Sequence, residues 1–328
     1  FHQLDRIDFN NISDMKGNVE GPIIPGKISF FASGRFKREN GYLYGQRIFH
    51  PNSFVWSEVE NIWKIDSLVG LGNGYILSES DTLKPILDSL RAADAFEWVP
   101  MDWYEQSTWQ VKLSWRLTPY IKMSFNRMYS DTKSQDYIHE YRWNPDGRSN
   151  AFSTRIGDLI RADWSISQST FANIMYSRTE NHYRSHLSSD PDFWEQIKEN
   201  WASDDEYFST FDSNLYYVDP DIFLYSTGNN FYVGGQSMGV YSRKSTVNTL
   251  KAEITNQINK EHQLKIGIES RKTKITLSDL QVHYSSNTNY QPRYFAPLIS
   301  PNNNSFGPNG RTPVELSGYF QDKIEQDQ

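Results

Sequence analysis

Hydrophobic and polar residues alternate with a period of two along most of this 328-residue chain. Between Trp109 and Leu117, one face would carry Trp109, Val111, Leu113, Trp115 and Leu117, and the other Gln110, Lys112, Ser114 and Arg116. Leu250, Ala252, Ile254 and Ile258 alternate with Lys251, Glu253, Thr255 and Gln257, broken only by Asn256. Ile28, Phe30, Ala32 and Phe36 alternate with Ser29, Ser33, Arg35 and Lys37. Such stretches predict strands with one apolar and one polar face. The strands come in pairs: 14–22 with 28–38, 107–117 with 120–130, 153–166 with 171–184, and 244–258 with 263–276, followed by a ninth at 313–326. Short connectors such as Thr118-Pro119 and Asn259-Lys260-Glu261-His262 join the members of a pair. Long segments, 39–106, 131–152, 185–243 and 277–312, separate the pairs.

Loops of that length are uncommon in compact domains. A strict alternation of tight turns and long loops is the pattern of a transmembrane barrel, with turns on one side of the membrane and loops on the other. The expected fold class is therefore all-β: an antiparallel meander forming a partial transmembrane β-barrel of about nine strands with long extracellular loops. Within the loops, Asp190 to Trp201 predicts a short helix. Asp190 would cap it, Pro191 suits its first turn, and Trp194, Ile197 and Trp201 would share a face. A second short helix is expected within 81–93.

Composition sharpens this picture. Hydrophobic residues make up 37% of the chain, below the roughly 45–50% of an ordinary globular protein, whereas aromatics reach 15%. That balance suits thin sheets and wet, amphipathic boundaries better than a thick helical core. Mean hydropathy is −0.69, and no run approaches the ~18 apolar residues of a membrane helix. Neither fact excludes a membrane protein, because barrel strands alternate and leave a weak hydropathy signal. With 33 Lys+Arg against 40 Asp+Glu, the net charge is −7, which argues against a nucleic-acid partner. The lack of cysteine excludes disulfides, thiol catalysis and cysteine-held metals.

Several stretches then resemble one family. Gly17-Asn18-Val19-Glu20-Gly21-Pro22-Ile23, followed by Ile28-Ser29-Phe30-Phe31-Ala32-Ser33-Gly34-Arg35, resembles the first barrel hairpin of TonB-dependent outer-membrane receptors. The branch is the one with an N-terminal carboxypeptidase-regulatory-like domain. Gly41-Tyr42-Leu43-Tyr44-Gly45, Tyr141-Arg142-Trp143-Asn144-Pro145-Asp146-Gly147 and the stretch from Asn256 to Gly267 are similar to later parts of that branch. Tyr319-Phe320-Gln321-Asp322-Lys323 is similar to the family strand that reads tyrosine, any residue, Gln-Asp-Lys. Their order and spacing carry the resemblance, which covers nearly all the chain outside the variable loops.

The resemblance implies a 22-stranded barrel filled by a plug, with TonB as partner through an N-terminal region, outer-membrane lipid around it, and a bacterial outer-membrane location. It implies active uptake of a siderophore, oligosaccharide, peptide or similar ligand, and no enzymatic activity. The chain opens on Phe1 without an initiator Met and closes inside a predicted strand, so a fragment of the barrel domain is expected, with plug and remaining strands elsewhere. Strands 14–22 and 313–326 should then each present an unpaired edge; a ladder between them would instead mean a small closed barrel. A secreted or surface-anchored β-rich adhesin or carbohydrate-binding module is the alternative, since sandwiches also combine alternating strands with long loops.

Candidate chemistry is sparse. The loop tryptophans Trp56, Trp63, Trp98, Trp194 and Trp201 offer flat faces to sugars, siderophore rings or planar ligands; the competing reading has them packing loop on loop. Trp103 and Trp109, near a strand start, suit the aromatic girdle of a membrane surface. His182-x-x-x-His186 has helical metal-ligand spacing, but it falls at a strand end and no third ligand accompanies it. Gly70-Leu71-Gly72-Asn73-Gly74 lacks the lysine of a phosphate loop. The acidic clusters Asp204-Asp205-Glu206 and Asp219-Pro220-Asp221 lack the glycine and terminal glutamate of an EF-hand and read as solvated charge. No catalytic residue, metal site or cofactor is expected.

Overall fold

The computed structural model describes residues 11–47, 54–57, 62–65, 98–191, 231–232, 236–237, 239–284, 292–297 and 310–324. Its strands are β1 (Ile12–Ile24), β2 (Ile28–Glu39), β3 (Tyr44–Gln46), β4 (Phe54–Ser57), β5 (Ile62–Ile65), β6 (Trp98–Pro100) and β7 (Trp103–Arg116). They continue with β8 (Ile121–Gln135), β9 (Asn150–Ser165), β10 (Thr170–His186), β11 (Gly239–Gln257), β12 (His262–Tyr284), β13 (Pro292–Pro297) and β14 (Val314–Ile324). The principal sheet is an antiparallel meander in the order β1-β2-β7-β8-β9-β10-β11-β12. β13 pairs with the loop end of β12, and β14 with its turn end.

The nine expected strands are the nine long strands of this sheet. Several run further than the hydrophobic pattern reaches: β8 continues to Gln135, β10 to His186 and β12 to Tyr284. The reason is physical. Towards the loops the side chains of both faces become polar, so the alternation fades while the main-chain ladder continues. The small sheets β3-β6 and β4-β5 and the short β13 lie within segments expected to be loops. Their strands have three to six residues, too few to show a period. Between β8 and β9 the chain makes two 3-10 turns, His139–Tyr141 and Pro145–Gly147. The helices expected over 190–201 and 81–93 fall outside the described residues, apart from Asp190 and Pro191.

The short connectors are closed by local hydrogen bonds. Lys27 N donates to Ile24 O (2.9 Å) across a turn in which Gly26 takes φ 74°. The Asn259 side-chain oxygen accepts from the amides of Glu261 (2.9 Å) and His262 (2.7 Å), an Asx turn. Thr118 Oγ1 accepts from Ile121 N at 3.1 Å.

Register places the two residue classes on opposite faces. Phe30, Leu113, Phe125, Ile160, Tyr176, Leu250 and Leu316 lie in one continuous cross-strand row. Trp115, Met123, Ala162, Ile174, Ala252 and Ile268 form the next row on the same face. Lys112, Ser114, Arg116, Lys122, Ser124, Lys251 and Glu253 occupy the other face, where Glu253 pairs with Lys251 (2.9 Å) and Lys265 (3.2 Å). The apolar face is uncovered along the turn-side half of the sheet: Ile174 is 54%, Leu250 51%, Ile268 60% and Leu316 81% exposed. A sandwich would bury this face under a second sheet; here the principal contacts of each long strand are with its ladder neighbours.

From β2 to β12 the apolar band runs diagonally to the hydrogen-bonded rows; in β14 its upper limit is Val314, opposite Lys272. Its last residue on the loop side is Phe36 in β2, Trp109 in β7, Leu250 in β11 and Ile268 in β12, each one or more rows below the one before. The turn-side limit descends likewise, from Ile28 in β2 to Ile258 after β11. The band therefore keeps its width, nine residues in Ile28–Phe36, Trp109–Leu117 and Leu250–Ile258. This is the geometry of strands tilted against a slab.

β1 pairs only with β2 and β14 only with β12, so the described sheet is open and the small closed barrel is excluded. Each end strand presents a row of main-chain groups to solvent. In hydrogen–deuterium exchange on the isolated segment, amides of β1 that point away from β2 should exchange at least about a hundredfold faster than those of β9. Equal protection of the two strands would mean that the edges close.

Candidate functional site

On the polar face, the loop ends of β2 and β7 floor a recess of about 430 Å³. Strand alternation sends Arg35, Lys37 and Glu39 from β2 and Tyr104 and Gln106 from β7 to this face, while Gly41, Tyr42 and Asp102 form the rim. The charges are matched in pairs. Arg35 grips Asp14 with two hydrogen bonds, Nε to Oδ1 at 2.8 Å and Nη2 to Oδ2 at 2.6 Å. Lys37 donates to Glu39 at 2.7 Å and lies 5.5 Å from the centre of the Tyr104 ring. Tyr42 stands 83% exposed at the rim. Paired charges, amides and two phenol rings make a surface suited to hydrogen bonding and ring stacking rather than to bond-making chemistry.

The rim is held from below. Asn11 donates to Gly41 O at 2.8 Å, and Asp102 Oδ1 accepts from Leu43 N at 3.1 Å. Gly41 has φ 65°, and a Cβ there would collide with the Asp102 carboxylate. At Gly45 a Cβ would strike Met101 and the Arg142 carbonyl. The two glycines of Gly41-Tyr42-Leu43-Tyr44-Gly45 thus serve a left-handed bend and a close loop crossing.

Met101 and Asp102 are fixed in turn by a platform of loop segments whose centre is Arg148. This guanidinium is 1% exposed. It donates to Pro145 O (3.1 Å), Asp136 O (2.7 Å), the Met101 carbonyl and Gln135 Oε1 (2.8 Å). Gln135 also accepts from the Trp103 indole at 3.1 Å. Backbone bonds tie further segments in: Tyr232 N to Glu140 O, Ser237 N to Gly147 O, and Gln46 N to Arg142 O. Phe152, Val240, Arg184 and His186, on the same face as the apolar band but at its loop end, are buried there. His186 stacks on Phe152 with 5.0 Å between ring centres, and Arg184 donates to Pro191 O at 2.9 Å and Thr154 Oγ1 at 2.8 Å. Burial pushes the Tyr141 hydroxyl pKa up and brings Arg148 down to about 10, so the guanidinium stays charged at neutral pH.

Of the five tryptophans expected to meet a ligand, Trp98 is the one whose side chain is among the described residues. Trp98 is half-buried in β6, paired with Gln46, and does not line the recess. Trp56 and Trp63 are register partners across the β4-β5 hairpin, and nothing of their side chains is described; Trp194 and Trp201 lie outside the described residues. Trp109 stacks on Tyr129 (5.4 Å, 22°) at the loop-side border of the apolar band, whereas Trp103 departs from the girdle expectation and is bound into the Arg148 platform. His182 and His186 sit on an extended strand, which sets four residues about 13 Å apart. The recess residues escaped the sequence reading. Their one signal was the run Arg35, Lys37, Glu39 at alternate positions where β2 meets its loop.

No protein-family model and no curated protein matches the chain. Among solved structures it is similar to the ferric-catecholate import receptor Fiu of E. coli K12, open form, at 9% identity and TM-score 0.41, covering 94% of this chain and 43% of that one. The closed form gives 10% identity and TM-score 0.40, with 94% and 40% covered. A FadL homologue of Pseudomonas aeruginosa gives 7% identity and TM-score 0.20, with 93% and 76% covered. The chain thus spans less than half the length of the import receptor.

Two outcomes follow from the platform. Arg148→Met takes the guanidinium donor from the Pro145, Asp136 and Met101 carbonyls, while Gln135 Oε1 keeps the Trp103 indole; it should destabilise the loop cluster by about 3 kcal/mol, read as protease cleavage within 136–150 at concentrations that spare the parent. His186 is held at a pKa of about 4, against an ordinary 6.5, first by burial and then by the charge of Arg184. Protonation therefore favours the open cluster: its stability is complete above pH 6.5 and is lost as pH falls towards 4. At pH 5 the loss should be about 2 kcal/mol, seen as faster amide exchange at Leu187 and Ser188, and His186→Gln should flatten that pH dependence.

Proposed function

We propose that this chain is part of the barrel wall of a TonB-dependent outer-membrane receptor that takes up a ligand too large or too scarce for porins. The observation that carries the reading is the diagonal apolar band of constant width on an open meander, with tight turns beyond one border and long loops beyond the other. A nine-residue strand segment tilted by about 40° crosses about 23 Å, close to the ~25 Å apolar height of an outer-membrane barrel. Order and spacing of the motifs from Gly17 to Lys323 support the receptor branch.

In this reading the apolar face meets lipid and the polar face lines the lumen. The loops and their platform face the outside and capture a siderophore, oligosaccharide, peptide or similar ligand, with Trp56, Trp63, Trp98, Trp194 and Trp201 as loop contacts. The recess at Arg35, Lys37, Tyr42 and Tyr104 accepts the ligand on the inner wall. A plug contributed by other parts of the protein moves when TonB pulls on it, and the chain carries out binding and gating without bond-making chemistry.

The reading is tested by membrane insertion of the full-length protein. Leu113→Arg, in the middle of the band, should cost about 2–4 kcal/mol of folding stability in phosphatidylcholine vesicles, while Lys112→Gln on the other face should cost under about 1 kcal/mol. Equal tolerance of the two changes would sink the membrane assignment.

A further inference from the structure

Immediately above the loop-side border of the apolar band, the same face turns cationic. The first charged residue beyond the band is Arg38 in β2, Arg127 in β8, Arg178 in β10 and Lys272 in β12, with Lys244 and Lys274 one or two rows higher. Arg38, Arg127, Arg178, Lys272 and Lys274 are exposed. Four carboxylates lie on this face among these cations: Glu105, opposite Arg38 and Lys133; Asp131, in the row of Lys244; Asp158, 3.4 Å from Arg127; and Glu180, shared between Arg178 (3.3 Å) and Lys244 (2.8 Å). With Lys133, seven cations against four carboxylates leave an excess of positive charge on a chain whose net charge is −7. At the turn-side border charge is sparser: the connectors Thr118-Pro119-Tyr120 and Ser167-Gln168-Ser169 carry none, and Lys27, Lys260 and Glu261 lie in the other two.

Two further features bound this belt. The Trp109–Tyr129 stack stands at the same level, where amphipathic rings mark a membrane interface. Above it the face is covered again, since Arg184, His186, Ser242 and Ser278 are buried at the loop ends of the same strands. On β10 three outward side chains, Arg178, Glu180 and His182, stand between Tyr176 and Arg184, and the first and last of them are on the order of 10 Å apart in height for a tilted strand. That height accommodates a lipid headgroup layer. Arg127 and Arg178 are two strands apart, about 10 Å, with Asp158 between them holding Arg127 in place.

We propose that this belt binds the phosphate groups of anionic glycolipid headgroups in the outer leaflet. The inference rests on the membrane reading given above. Guanidinium groups donate in pairs to phosphate oxygens, and the belt places them where headgroups lie, between hydrocarbon below and the loop platform above. Bound lipid ties the outer leaflet to the base of the platform and sets the depth of the sheet in the membrane.

The test uses full-length protein in phosphatidylcholine nanodiscs, titrated with diphosphorylated lipid A and with its dephosphorylated form. The wild type should prefer the phosphorylated lipid, and the triple variant R127Q/R178Q/K272Q should bind it on the order of a hundredfold more weakly without changed affinity for the dephosphorylated form. A triple variant of the other face, K112Q/K122Q/R161Q, should bind like the wild type. Equal losses in both triple variants, or no preference for phosphate, would overturn the belt while insertion of the protein leaves the membrane reading standing. Competition by millimolar inorganic phosphate alone would overturn the lipid assignment in favour of a free-anion site. A wild type that does not insert into plain phosphatidylcholine would overturn both readings at once.

Discussion

The architecture depends on a main-chain register that runs without a slip from β2 to β12. Side chains alternate along every strand, so one residue of slippage anywhere would send a whole strand's apolar set to the polar face. Because the register holds, Phe30, Leu113, Phe125, Ile160, Tyr176 and Leu250 meet on one face although they come from six strands. The ladders also satisfy the main-chain groups within the sheet, as a wall in contact with hydrocarbon requires. Among the described residues, the outer edges of β1, β13 and β14 have no ladder partner.

A different interaction governs the loop end. There the sheet alone offers no core, and the buried apolar residues Met101, Tyr141, Phe152, Leu187, Phe231 and Val240 gather where loop segments fold together. A guanidinium at their centre has enough donors to collect carbonyls from several segments at once. Arg148 does this, and through Met101 and Asp102 its effect reaches Gly41 and Tyr42 at the rim of the recess. The shape of the polar-face recess is thus set by a residue that does not line it. A ligand that displaced Asp102 or Tyr42 would act on the platform through the same contacts.

Along the chain axis the two faces divide their tasks by height. The lower half of the sheet is apolar on one face and ion-paired on the other; the middle carries exposed arginines and lysines beside Trp109 and Tyr129; the top is covered by folded loops. Each layer has a different solvent in the receptor reading: hydrocarbon, headgroups and water. In that reading, matching of side chains to three solvents accounts for the way one face of a single strand, such as Ile174, Tyr176, Arg178, Glu180, His182 and Arg184 in β10, changes chemistry every two or four residues.

By itself, the sequence determined the all-β class, the nine long strands, their pairing into hairpins and the sorting of residues between two faces. All of these follow from a period-two pattern and from turn residues such as Gly26, Pro119 and Asn259, which act over a few residues. The ends of the strands were not legible, because β8, β10 and β12 continue where both faces are polar and no period remains. Nor were the recess and the Arg148 platform. Arg148 reads as an ordinary loop arginine until the fold brings Met101, Pro145 and Gln135 around it, and Lys37 meets Tyr104 only because β2 skips four intervening strands to pair with β7. The contacts with Met101 and Tyr104 join residues dozens of positions apart, and the local pattern carries no record of them. The diagonal of the apolar band likewise exists only once neighbouring strands are set in register, since it is a relation among strands and not a property of any one of them.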